Sequence, residues 1–186
     1  MKKQLLIGSM LLASTLFAQE VHYVNNPAVA QKGMAQAKGL IGAIKPSLMS
    51  AMKEDHSGVL ATTMCASSAK EMTQTYNKTL PEGSSVRRTA LKYRNPENKP
   101  DATDRAVMEK FEESKAFKKP LVVDMGESYR VYKALPTHKP CLICHGDKTK
   151  MPPKMQAILK ERYPADLATG FTLGSLRGVI VSTIEK

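Results

Sequence analysis

Residues 141–145 read Cys-Leu-Ile-Cys-His, and this short segment carries the clearest chemical signal in the chain. Two thiols three residues apart can each add to one vinyl group of a haem, and the adjacent imidazole can then bind the iron. The spacing matters because a short loop must lay both sulfurs along one edge of the porphyrin. The segment therefore predicts covalent attachment of one c-type haem through Cys141 and Cys144, with His145 as an iron ligand.

The same residues are open to three other interpretations. A structural zinc ion would take Cys141, Cys144 and either His145 or His138, but it needs four ligands, and only Cys65 or distant histidines could complete the set. A thioredoxin-like redox pair also uses this cysteine spacing, but its cysteines normally open a helix inside a βαβ unit. A plain disulfide between the two cysteines is the third alternative.

The opposite face of the iron needs a ligand from elsewhere in the chain. Met151 and Met155 follow His145 too closely to reach across the ring, so this ligand is expected upstream. Cys65 is the main candidate, because a lone thiol in an oxidising compartment is exposed to oxidation unless it is buried or bound. Free cysteines are also commonly buried as small apolar residues, so spacing alone leaves both roles open.

Basic residues alternate along residues 86–94, which are predicted to form a strand. Arg88, Lys92 and Arg94 would then lie on one side of that strand. A haem carries two propionates, and the planar guanidinium of arginine suits bidentate pairing with a carboxylate. These three residues are therefore candidate propionate partners, and the alternative is an ordinary solvated strand face.

The first residues are typical of a secretory signal peptide. Lys2 and Lys3 precede an apolar run from Leu5 to Ala18, which is shorter than the roughly 20 apolar residues of a membrane span. We expect residues 1–18 to be removed and residues 19–186 to form a single domain without a membrane span. The expected location is a bacterial periplasm, where covalent haem attachment also takes place.

Composition limits the classes of function that remain. The 186 residues include 42% hydrophobic residues, which is enough for one packed core and argues against a disordered chain. Three cysteines are too few for a disulfide-stapled scaffold. The net charge is +11, but the basic residues are scattered along an exported chain. Nucleic acid is therefore not an expected partner.

Hydrophobic periodicity and turn residues divide the chain into a helical first part and a strand-rich second part. Asn26 and Pro27 are a typical helix start, and Pro46 is expected to kink or break that helix. Later helices are predicted over 59–77, from Asp101 or Thr103 to about 115 and over 153–163, and strands over 86–94, 120–125, 128–135 and 176–184. This order of elements predicts an α+β fold.

Three segments together resemble one family of exported haem proteins. They are Cys65 with the helix that follows it, the run from Arg88 to Asp101, and residues 141–146 with the later 163–166, 170–171 and 176–178. The second run, RTALKYRNPENKPD, is close to the family signature RTSLK-x-RNP-x-N-x-PD and departs from it at Ala90, where the family has Ser. The family is a domain of unknown function with a PAS-like fold and a covalent c-type haem, first seen in a cyanobacterial haem protein.

The resemblance implies a PAS-like antiparallel sheet flanked by helices, with the haem attached late in the chain. It also implies iron ligation by one histidine and one cysteine, which by position are His145 and Cys65. A thiolate ligand donates strongly and favours ferric iron. Reduction would then weaken the iron–sulfur bond, and the helix around Cys65 would respond as a switch.

Three classes of function follow from these expectations. The first and favoured class is a haem-based sensor of redox state or of a small gaseous ligand. The second is an electron-transfer cytochrome that serves a redox partner protein, with the basic surface steering acidic partners. The third is an enzyme such as a peroxidase or a small-molecule reductase, which is ranked last because no distal acid–base pair is evident.

Overall fold

The structure is a computed structural model that describes residues 20–186. The predicted signal peptide, residues 1–18, lies outside the described residues. Five α-helices and four β-strands are present in the described part: α1 (Pro27–Glu54), α2 (Val59–Asn77), β1 (Ser84–Thr89), α3 (Ala102–Ser114), β2 (Leu121–Asp124), β3 (Ser128–Pro136), α4 (Leu142–His145), α5 (Pro153–Arg162) and β4 (Leu176–Glu185). Between residues 20 and 186, no helix combines the length and the apolar character needed to cross a membrane.

The first helix begins as predicted but does not break where it was expected to. The Asn26 side chain accepts a hydrogen bond from the Val29 backbone N–H at 3.1 Å, and Pro27 occupies the first turn. The break considered at Pro46 does not occur, because α1 continues through this exposed residue to Glu54. Buried side chains on both sides of the proline, such as Leu40 and Ala51, anchor the helix and offset the lost backbone hydrogen bond.

The four strands form one antiparallel sheet in the order β1-β4-β3-β2. The hairpin between β2 and β3 turns at Gly126, whose φ of 86° is readily adopted only by glycine. The helix α1 packs on one face of the sheet, where a Cβ at Gly33 would lie 2.4 Å from Val131 Cβ. The other face carries α3, through Val107, Met108 and Phe111. The predicted α+β class is confirmed.

The strand predicted over 86–94 is too long, since β1 ends at Thr89. Beyond this point the backbone bonds to loops instead of a neighbouring strand: the Ala90 N–H donates to the Asn98 carbonyl and the Leu167 N–H donates to the Tyr93 carbonyl. The alternation of basic residues there therefore does not reflect strand geometry. The expectation that Arg88, Lys92 and Arg94 share one strand face is wrong, because only Arg88 lies in the strand.

Candidate functional site

The Cys-Leu-Ile-Cys-His segment lies in the connection between β3 and α5. A single 3-10 turn over Lys139–Cys141 leads into the one-turn helix α4, Leu142–His145. The Gly146 N–H donates to the Leu142 carbonyl at 2.9 Å and closes this helix. A Cβ at Gly146 would lie 2.5 Å from the same carbonyl oxygen, so the turn requires glycine. This compact turn holds both thiols and the imidazole on one short piece of backbone.

His145 is oriented by the loop that precedes β4. Its Nδ1 lies 2.8 Å from the Ala168 carbonyl oxygen, and because a carbonyl can only accept, Nδ1 carries the donated proton. The other ring nitrogen, Nε2, therefore keeps a lone pair for a metal. The Phe171 N–H donates to the His145 carbonyl at 3.0 Å, and the Phe171 ring meets the imidazole edge-on with 6.1 Å between ring centroids.

The surroundings of His145 favour its neutral form. Neighbouring atoms enclose the ring although part of the residue still reaches solvent, and this burial lowers the pKa of His145 well below its ordinary value. The nearby charges of Arg177 and Arg94 lower the pKa further. A neutral imidazole with a free Nε2 is the form of histidine that binds metals.

The start of α2 packs directly against the segment that carries the two thiols. The Thr62 hydroxyl donates to Cys144 Sγ at 3.6 Å, and the Cys144 thiol points to the Gly58 carbonyl at 3.9 Å. Gly58 adopts a φ of 78°, and a Cβ there would lie 2.6 Å from Ile143 Cγ2. Residues more than 80 positions apart in sequence are thereby brought into contact.

Cys65 lies on this same helix, three residues after Thr62 and half-buried. Burial raises the pKa of the Cys65 thiol, and the nearby Cys144 thiol raises it further, against the opposing charges of three arginines. The Tyr163 hydroxyl donates to the Cys65 carbonyl at 3.5 Å. Cys65, Cys141 and Cys144 are all free thiols. The helix α2 thus carries the third cysteine to the neighbourhood of the other two.

The three basic residues singled out from the sequence have different surroundings. Arg88 donates to the Ala69 carbonyl at 3.1 Å through Nη2, while its Nε is buried without a hydrogen-bond partner. Arg94 forms an ion pair with Asp166 at 3.1 Å and donates to the Cys144 carbonyl at 2.7 Å. Lys92 is exposed, donates to the Thr169 carbonyl and lies 4.7 Å above the Phe171 ring.

Arg177 also belongs to the site, although it was not among the residues singled out from sequence. Its Nη1 donates to the Lys92 carbonyl at 3.2 Å, and its guanidinium lies 5.0 Å from the Phe171 ring centroid. Burial, with the neighbouring charges of Arg94 and Arg88, lowers the pKa of Arg177 to about 10. Arg177 is the one basic residue of β4 and precedes the apolar run 179–181, and a buried charge generally needs a partner. This signal could have identified it.

The alternative chemistries fit this arrangement less well. A four-ligand zinc site is not assembled, because within residues 20–186 no three His, Cys, Asp or Glu side chains are grouped closely enough to hold a metal ion. The cysteine pair lies beside an antiparallel sheet instead of opening a helix in a βαβ unit. A haem fits the donor set: two thiols on one turn, an imidazole with a free Nε2, and two buried guanidinium Nε atoms without partners. Fold and site together define a candidate haem-binding domain.

Comparisons with known proteins agree with this class. The family described as Tll0287-like matches residues 2–185, so the chain belongs to the Tll0287-like family. Among solved structures, the cyanobacterial heme-protein Tll0287 is similar to this chain with a TM-score of 0.67 and 27% sequence identity, over 87% of this chain and 98% of that chain. A search of curated proteins finds no significant match. The resemblance inferred from the sequence motifs is therefore confirmed.

Proposed function

We propose that this chain is a periplasmic monohaem c-type protein with a PAS-like fold that senses redox state or a small ligand. The haem would be attached through Cys141 and Cys144, and the iron would be bound by His145 and Cys65. The observation that carries the proposal is the packing of α2 against residues 141–145, the attachment segment, through the 3.6 Å contact between Thr62 and Cys144. Of the three propionate partners predicted from the sequence, Arg88 has a buried Nε without an acceptor, whereas Arg94 is paired with Asp166 and Lys92 is exposed.

The residues of the site have separate roles in this proposal. When bound, the haem would supply an iron centre that can change oxidation state and exchange a ligand. The Ala168 carbonyl fixes the tautomer of His145 and so directs Nε2 towards a metal. The thiolate of Cys65 would favour the ferric state. Since Cys65 belongs to α2, any change in its bonding acts on the helix that contacts Cys144.

Electron transfer is the second candidate function, and the surface around the site favours it in one respect. Three exposed apolar side chains lie near the attachment segment. Ile143 belongs to it, and Leu167 and Leu173 lie in the loop whose Ala168 and Phe171 bond to His145. Such residues can bring a partner protein close to a redox centre. Electron exchange that is fast and leaves the axial ligands unchanged would support this carrier function over a sensor.

Export and covalent attachment are tested on protein produced in bacteria able to mature c-type cytochromes. The mass of the purified chain should equal residues 19–186 plus one haem, and the colour should stay with the protein in acidified organic solvent. A chain that retains residues 1–18 contradicts the predicted removal of the signal peptide. A colourless chain contradicts the proposal as a whole.

The ligand role of Cys65 is tested by the Cys65→Ala variant of the haem-bearing protein. We expect its ferric optical and electron-spin-resonance spectra to lose the thiolate signature, because alanine offers no sulfur to the iron. Ser67→Ala is the matched control, since Ser67 lies on the exposed face of the same helix and should leave both spectra unchanged. An unchanged ferric spectrum in Cys65→Ala would show that Cys65 is not a ligand and would end the switch hypothesis.

A further inference from the structure

Three arginines gather around the candidate haem site and carry more positive charge than the protein neutralises. This arginine cluster consists of Arg88, Arg94 and Arg177, and all three charges act on the Cys65 thiol. Arg94 is paired with Asp166, and both side chains are nearly buried, at 11% and 7% exposure. Among residues 20–186, no carboxylate lies within ion-pair distance of Arg88 or Arg177. Two positive charges of the cluster therefore lack a partner.

The hydrogen-bond pattern leads to the same conclusion. The Nε atoms of Arg88 and Arg177 are buried and have no acceptor. A buried donor without an acceptor costs free energy, and a buried charge without a counter-charge costs more. Arg177 is held by a single backbone acceptor and by the face of Phe171, neither of which carries a negative charge. Arg94 and Arg88 oppose its charge, and Asp166, which is paired with Arg94, offsets only part of this repulsion.

A ligand with two carboxylates would supply both the missing counter-charges and the missing hydrogen-bond acceptors. Such a ligand must also lie close to the attachment segment. Arg177 lies near His145, because both pack against Phe171: the guanidinium is 5.0 Å and the imidazole centroid 6.1 Å from the centroid of the Phe171 ring. The planar guanidinium offers Nε and Nη donors in a fork that fits a carboxylate bidentately. The two propionates of a haem have this chemistry and this total charge.

We infer that Arg177, acting with Arg88, binds the carboxylates of the attached haem, whereas Arg94 braces the loop through Asp166 and the Cys144 carbonyl. This inference rests on the proposed haem attachment and adds Arg177 to the residues that hold the group. It also gives the three arginines different roles, since two of them bind the ligand and the third supports the segment that carries the thiols.

The experiment uses haem-bearing protein whose haem is labelled with carbon-13 at the propionate carboxyl carbons. Infrared spectra of the oxidised and reduced protein are compared between wild type, Arg177→Gln and Arg105→Gln. Arg105 is the matched control because it is an exposed arginine on α3. We expect the labelled carboxylate bands to shift in Arg177→Gln only, and the proton affinity of a propionate to rise at least about tenfold, since a carboxylate loses its guanidinium partner.

The outcomes separate this inference from the function on which it rests. Unshifted carboxylate bands in haem-bearing Arg177→Gln overturn the inference. This holds even if the spectrum of the iron–thiolate bond changes in that variant. A wild-type protein without covalent haem overturns the proposed function itself. Should Arg177→Gln fail to mature, Arg177→Lys replaces it, because lysine keeps the charge but loses the fork. Shifted bands in that variant then support the inference, and unshifted bands overturn it.

Discussion

Replacing Gly58 with alanine should weaken the contact between α2 and the attachment segment. Gly58 caps the start of α2 with a φ of 78°, a conformation that costs an L-residue about 1–2 kcal/mol. The added Cβ would also lie 2.6 Å from Ile143 Cγ2, 2.9 Å from Met155 Cε and 3.3 Å from Cys144 Sγ. Met155 Cε is the end of a flexible side chain and Ile143 is exposed, so both can yield, and the overpacking cost falls near the lower end of its range, at about 1 kcal/mol.

The two costs together predict that Gly58→Ala lowers the free energy of unfolding by about 2–3 kcal/mol. Gly174→Ala is the matched control, because Gly174 has a φ of 79° and no atom within 4 Å of the added Cβ. It should therefore lose only the backbone contribution, about 1–2 kcal/mol. Urea denaturation of both haem-bearing variants measures the difference. Equal losses in the two variants would refute the close packing of α2 on the attachment segment.

Two further predictions concern the carboxylates. Asp166→Asn should lower the free energy of unfolding by about 3–5 kcal/mol in urea denaturation, because it leaves the nearly buried Arg94 unpaired. Glu97→Gln is the control in an exposed ion pair and should cost less than about 1 kcal/mol. Equal losses in the two variants would contradict the burial argument. Burial alone would raise the pKa of Asp101, but hydrogen bonds from a backbone N–H and Arg130 outweigh it and lower the pKa. A lowered folded pKa stabilises the protein above the unfolded value and loses that stability as pH falls. Asp101→Asn, which can still cap α3, should therefore flatten stability against pH below about pH 4, and an unchanged acid slope would contradict this assignment.

Most elements of the fold could be predicted because hydrophobic periodicity and turn residues are local properties of the chain. The helix predicted over 59–77 has these bounds in the structure, and β4 extends the predicted strand by one residue. The break considered at Pro46 and the strand extended past Thr89 were both predicted from local preferences that tertiary contacts override. At Pro46 packing on both sides of the residue maintains a helix that its local propensity disfavours, and beyond Thr89 loop contacts replace a strand that the alternation favours.

The candidate site likewise has a part that local sequence predicts and a part that depends on tertiary packing. Sequence alone determined which residue types stand together at residues 141–145, because the chemistry of two thiols and an imidazole depends on spacing along a few bonds. Only the tertiary structure decided what surrounds them: the Ala168 carbonyl at His145, the α2 contact that brings Cys65 near, and Arg177 among the other arginines. A backbone carbonyl has no side-chain signature, and proximity across some eighty residues arises from how helices, loops and strands pack together.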